Sequence, residues 1–101
     1  MNRQVASVED WFQAYGQVYQ ALPGRVHIRC PNCDHDELQL VFTGSADTGV
    51  GWASFWCNHC LHGLHLSRVA IPDGAEILPM DATDERRRRR IPDYTIIPPG
   101  D

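Results

Sequence analysis

Two short cysteine pairs constrain this chain more than any other feature in it: Cys30-Pro31-Asn32-Cys33 and Cys57-Asn58-His59-Cys60. A two-residue spacer lets both sulfurs of a tight turn face one point, and the 23 residues between the pairs allow a hairpin that brings the turns together. Four soft donors converging in this way suit a tetrahedral metal, with zinc as the default occupant. Cys30, Cys33, Cys57 and Cys60 are therefore the expected ligands of one structural Zn2+. Disulfides in any of three connectivities, an iron centre of rubredoxin type and redox dithiols remain as alternatives. Met1-Asn2-Arg3-Gln4-Val5 lacks the apolar stretch of a secretory signal. The expected setting is thus reducing and cytoplasmic, where paired turns of this kind bind metal rather than oxidise.

A staple matters because the chain is short. With 101 residues, 43% hydrophobic and 22% charged, it is long enough for one small domain and too short for a large catalytic cleft. No run of eighteen apolar residues is present, so no membrane span or membrane partner is expected.

The paired knuckles resemble the zinc ribbons over roughly Val26 to Ala70, less than half of the chain. The resemblance implies two zinc knuckles, each followed by a strand, in a small antiparallel sheet. It implies no single activity, because ribbons serve transcription, ribosomes, nucleic-acid enzymes and protein adaptors alike. A finer similarity connects Ser45-Ala46-Asp47 and Ser54-Phe55-Trp56-Cys57-Asn58-His59-Cys60 with the ribbon of transcript-cleavage elongation factors, whose adjacent Asp-Glu pair at the hairpin tip helps hold a catalytic magnesium. Asp47 matches the Asp, but Thr48 stands where the Glu belongs. One carboxylate cannot share the metal's charge as two do, so that activity is not carried over.

Around the ribbon the pattern is α+β. Ser7 reads as an N-cap with Glu9 and Asp10 in the first turn. Val8, Trp11, Phe12, Tyr15, Val18, Tyr19 and Leu22 then recur at helical steps as one apolar stripe, and Pro23-Gly24 ends the helix. Short strands are expected at Val26–Arg29, Leu38–Phe42, Val50–Trp56 and Leu64–Ile71, with Thr43 to Gly49 as the hairpin turn. After a turn at Pro72-Asp73-Gly74, Glu76-Ile77-Leu78 reads as an edge strand ended by Pro79. The expected architecture is one zinc-ribbon domain over residues 1–80, the N-terminal amphipathic helix packed on its sheet. A charged, proline-containing tail follows over 81–101, with a helix from Asp81 to Arg90 and an extended Tyr94 to Ile97.

Charge divides in the same place. Residues 1–85 hold eleven acids against four arginines, a formal −7, and residues 86–101 hold five arginines against two acids, +3, for −4 overall. The run Arg86, Arg87, Arg88, Arg89 and Arg90 reads first as a solvated helix balanced by Asp81, Asp84 and Glu85, and second as a contact for phosphate or an acidic protein. Trp52 and Trp56, with Phe55, could stack bases, yet a core position is expected for at least one tryptophan. His59, His62 and His65 surround the second knuckle and could replace a cysteine or build a second site, but four thiolates already close a tetrahedron, so hydrogen bonding or exposure to solvent is the expected role. His27 and His35 carry no distinct signal.

A zinc closed by four sulfurs has no open position for substrate. The chain also lacks lysine, a phosphate-binding glycine loop and a nucleophile elbow. The expected function is non-enzymatic: a structural-zinc module acting as a protein-interaction adaptor or accessory subunit. Docking by strand addition through Tyr94 to Ile97 is one route. The alternative is a nucleic-acid-binding or transcription-associated regulator using the Arg86–Arg90 run and the ribbon aromatics.

Overall fold

A computed structural model describes residues 6–22, 24, 27–45 and 47–98. Within these, α1 (Val8–Ala21) is followed by β1 (Leu38–Ser45), β2 (Val50–Cys57) and β3 (His62–Ala70). Then come β4 (Ile77–Pro79), α2 (Asp84–Arg90) and β5 (Thr95–Ile96). The Ser7 hydroxyl caps α1, accepting from the Asp10 N–H at 3.2 Å. Four positions named from sequence, Pro23 of the helix stop, Val26 of the first strand, Ala46 of the hairpin tip and Pro99 of the tail, lie outside the described residues, as do Met1 to Val5. No helix among the described residues is long and apolar enough to cross a membrane.

The five strands form one sheet in the order β4-β1-β2-β3-β5. The hairpin β1–β2 and the pair β2–β3 are antiparallel, as the ribbon pattern implies, but β4 runs parallel to β1 and β5 parallel to β3. The sheet is therefore mixed rather than antiparallel. Tight turns join only the central three strands, whereas the two outer strands arrive by crossovers, which deliver parallel neighbours. His27 to Arg29 form no strand. Instead, His27 Nδ1 meets Asp36 Oδ2 at 2.9 Å across the mouth of the first knuckle. In β3 the period of two breaks at a bulge opposite Trp52, where Arg68 takes φ 58°.

Each face of the sheet has its own cover. On one, Trp11 and Ala14 of α1 meet Phe55, Leu64, Cys30, Cys57 and Ile97, all buried. Trp11 and Tyr15 approach the Phe55 ring edge-on at 5.8 and 5.7 Å. Phe12, placed in the stripe by sequence, is 46% exposed, because α1 touches the sheet along a narrow line and Phe12 sits one residue round from Trp11. On the other face, Val41, Trp56 and Leu78 are covered by Ala82, Ile91 and Tyr94. Tyr94 stacks on Trp56 at 5.7 Å and donates its hydroxyl to the Leu64 carbonyl at 2.7 Å.

Residues 81–98 are consequently part of the folded unit rather than a tail beyond it. Tyr94 to Ile97, expected to dock on a partner, instead adds to the chain's own β3. The N–H groups of Thr95 and Ile97 donate to the Leu61 and Gly63 carbonyls at 2.9 and 2.8 Å. On its other side Gly63 lets β3 lie close against β2, since a Cβ there would run into the Phe55 carbonyl oxygen and lie 2.6 Å from Trp56 Cα.

Candidate metal centre

The hairpin brings the two cysteine turns together at one end of β1–β2, where Leu38 pairs with Cys57. All four cysteines are free, and their sulfurs lie within 4.8 Å of one another. Cys30 Sγ is 3.7 Å from Cys60 Sγ, and Cys33 Sγ is 3.6 Å from Cys57 Sγ. A tetrahedron with metal–sulfur bonds of about 2.3 Å has edges of about 3.8 Å, so these separations fit one ion at the centre.

The two turns are built alike. The N–H two residues after the first cysteine of each points at that cysteine's sulfur, Asn32 to Cys30 and His59 to Cys57, both at 3.3 Å. Such bonds favour the thiolate. Each turn closes by an N–H donated to the first cysteine's carbonyl, from Asp34 and from Leu61, both at 2.9 Å. Both of these residues adopt left-handed backbone, φ 66° and 55°, a conformation that glycine adopts more cheaply. One residue on, His35 and His62 each donate Nδ1–H to the carbonyl of the second cysteine, at 3.0 and 2.9 Å. The repeat is therefore Cys-x-x-Cys-x-His twice over. It was present in the sequence, visible once the knuckles are aligned on each other, and it gives His35 and His62 matching roles in holding the turns.

Asparagines tie each knuckle to a tryptophan. Asn32 Oδ1 accepts from Trp11 Nε1 at 3.1 Å and from the Ala6 N–H at 2.9 Å, linking the first knuckle to α1. Asn58 Oδ1 accepts from Trp56 Nε1 at 2.8 Å. Each buried indole N–H thus finds a partner in a metal-binding turn.

Burial pushes the Cys30 and Cys57 thiols up to about 11 and raises Cys60. Burial also opposes ionisation of Cys33, but hydrogen bonds from the His35 backbone and ring outweigh it and bring Cys33 down to about 7. Without metal the centre is mostly a cluster of neutral thiols near neutral pH, and a metal ion binds by displacing their protons.

Cys33, His35 and His59 form a second group with ligand atoms within 4.8 Å. The two imidazoles are stacked, centroids 3.6 Å apart and 17° from parallel. Imidazole lone pairs lie in the ring plane, so near-parallel rings cannot both aim at one ion. The four sulfurs are the converging set. His65 lies away from them, 6.5 Å from Trp52.

The other residues singled out from sequence fall in different places. Trp56 is 1% exposed and belongs to the core of the second face, so its ring offers no surface for a partner, while Trp52 is half-buried. Helix α2 begins at Asp84, capped by the Thr83 hydroxyl accepting from the Arg86 N–H at 3.1 Å, rather than at Asp81. Arg90 makes a two-point contact with Glu76, Nε to Oε2 and Nη2 to Oε1, each at 2.8 Å. Arg89 pairs with Glu85 at 2.7 Å, and Arg87 lies 3.6 Å from Asp84. Arg86 and Arg88 make no ion pair among the described residues. At the hairpin tip Asp47 is exposed, and Thr48 Oγ1 lies within 3.4 Å of the Ser45 and Val50 carbonyls, holding the turn. Compared with family models, with curated proteins and with solved structures, the chain has no match.

Proposed function

We propose that this chain is a non-enzymatic module built round one structural zinc ion and acting as a protein-interaction adaptor or accessory subunit. The observation that carries it is the convergence of four free sulfurs, 3.7 Å apart for Cys30 and Cys60 and 3.6 Å apart for Cys33 and Cys57. Four thiolates leave a metal no position for substrate or water, which supports a structural role over hydrolysis. Zinc suits the set because it has no redox chemistry and no geometric demand beyond the tetrahedron.

The adaptor reading is supported by what remains open at the metal-bearing end. β5 is an outer strand, and the N–H groups of Thr95 and Ile97 point inward, so the Ile96 N–H and C=O point outward. Ile96 is 50% exposed and Leu61, on the adjoining knuckle, 40%. A partner strand paired with Ile96 would bury both side chains. The partner would thus meet the outer side of β5, not displace it.

Nucleic-acid binding is the second reading, favoured by the exposed Arg86 and Arg88 but narrowed by the acids that already engage Arg87, Arg89 and Arg90. The test is affinity capture from the native cell, comparing zinc-loaded wild type with Ile96→Asp and with Arg86→Ala/Arg88→Ala. A stoichiometric protein lost only with Ile96→Asp supports the adaptor. Nuclease-sensitive recovery lost with the arginine pair, and a steep salt slope for RNA or DNA, replaces it with the second reading. A natively purified, folded protein without stoichiometric zinc overturns both.

A further inference from the structure

Between α2 and the sheet face beneath it lies a cavity of about 310 Å³ that the metal centre does not touch. Its walls bring together residues far apart in sequence: Thr43 of β1, Trp52 of β2, His65 of β3, Arg87 and Arg88 of α2, and Asp93. Two polar groups in these walls are buried without a partner among the described residues, Thr43 Oγ1 and Arg87 Nε. Thr43 is 1% exposed. A buried hydroxyl and a buried guanidinium N–H left unpaired both cost stability, and such orphans call for something to bind them.

The missing partner has a definable chemistry. Arg87 Nε is a donor only; of the other guanidinium nitrogens, Nη2 donates to the Ala82 carbonyl at 3.1 Å and Nη1 lies 3.6 Å from Asp84 in a looser ion pair. An oxygen acceptor is therefore required. Thr43 can donate to a second oxygen and Arg88 to a third, which suits a phosphate better than a two-oxygen carboxylate. Trp52, with His65 6.5 Å away and tilted by 51°, supplies an aromatic wall for a flat ring. Asp93 can accept from an amino or hydroxyl group of the same ligand. The volume sits at the lower end of the range of about 300–1,000 Å³ for small-molecule sites, enough for one nucleotide and too small for two.

We propose that this cavity binds a single nucleotide, its phosphate held by Arg87, Arg88 and Thr43 and its base lying against Trp52. The observations behind this proposal are separate from those behind the zinc reading and the outer side of β5. The nucleotide is either free or the phosphorylated end of a single strand, since both present the same group.

The test uses the full zinc-loaded chain, titrated with the four nucleoside monophosphates, with a 5′-phosphorylated trinucleotide and with inorganic phosphate. Binding is followed by calorimetry and by backbone and indole resonances. The expected result is a saturable shift centred on Thr43, Trp52 and Arg87. Thr43→Val and Arg87→Gln should each weaken the preferred ligand by about tenfold or more, with zinc content unchanged. Equal affinity for monophosphate and trinucleotide assigns the free nucleotide, and tighter trinucleotide binding assigns the strand end. No shift at these residues at millimolar nucleotide overturns the proposal. So does binding that Thr43→Val leaves intact, or inorganic phosphate binding as tightly as the nucleotides. Ordered water alone on Thr43 Oγ1 and Arg87 Nε in a nucleotide-soaked crystal would do the same.

Discussion

Cys57→Ser should unfold the half of this protein that carries the four cysteines, and chelation should do the same to the wild type. Cys57 is fully buried and lies in one cluster with Cys30, Trp11, Phe55, Leu64 and Ile97, so the metal centre and the helix-side core share atoms. Structural zinc bound by four such ligands contributes about 10–16 kcal/mol at neutral pH, and a small domain has only about 5–15 kcal/mol of net stability. Subtracting the first from the second leaves little or nothing. Thermal melts followed by far- and near-ultraviolet dichroism, with and without a chelator, measure the effect. The expected outcome is a cooperative melt for the loaded wild type, and loss of cooperativity and of the near-ultraviolet tryptophan signal for the variant and the stripped protein. Acid should act in the same direction. Cys30 and Cys57 stand at about 11 in the metal-free centre, so at pH 7 both carry protons that the metal must displace. Those two alone make metal affinity fall by about a hundredfold per pH unit on descending from neutrality, and Cys60 adds to the slope. A stripped protein or Cys57→Ser variant with an unchanged melt would refute this reasoning, as would a metal affinity that is flat with pH.

Three further outcomes follow from the packing. Gly63→Ala drives a Cβ into the Phe55 carbonyl oxygen, which must separate β2 from β3, and chemical denaturation should show a loss of at least about 3 kcal/mol. Thr43→Val replaces an orphaned buried hydroxyl by a methyl of the same shape and should raise the stability of the ligand-free protein by about 1 kcal/mol; a loss would mean that the hydroxyl is satisfied. The hydrogen bonds from Arg90 hold the Glu76 carboxyl below its ordinary range. Its contribution is therefore present above pH 4.5 and is lost as pH falls through the lowered value. Because Glu76 is half-exposed and screened, Glu76→Gln should cost at most about 1 kcal/mol at pH 7 and nothing in strong acid, measured by denaturation at both pH values.

What could be read from sequence was local. The four ligands, the Ser7 cap, the hairpin and the existence of α2 each depend on residues a few positions apart, where spacing and capping chemistry suffice. The hidden contacts were those joining distant segments. Nothing near Glu76 announces that Arg90 will reach it, and nothing near Tyr94 announces a stack on Trp56, so the arginine run looked more available than it is and residues 81–98 looked detachable. Phe12 misled for a related reason: helical periodicity gives a face but not the width of its contact. His35 lies between these cases. Its role was legible, but only by setting Cys33-x-His35 beside Cys60-x-His62.

The two faces of the sheet are secured by different means, and the chain's last strand makes one depend on the other. α1 and the metal turns secure the first face; Tyr94, Ile91 and Ala82 secure the second. Yet β5 begins on the knuckle itself, the Thr95 N–H reaching the carbonyl of Leu61 immediately after Cys60, and ends with Ile97 buried in the first-face cluster. Tyr94 is thus fixed to the second face by a strand whose anchor is a metal-binding turn. Loss of the ion should loosen the knuckle that holds Leu61, the acceptor that positions Thr95, and with it the segment that carries Asp93 to the cavity under α2. The hierarchy follows from the order of the chain: metal first, β5 second, the second face and its cavity last. A substitution confined to that cavity, such as Thr43→Val, therefore leaves the metal centre whole, while one at the knuckle removes everything downstream of it.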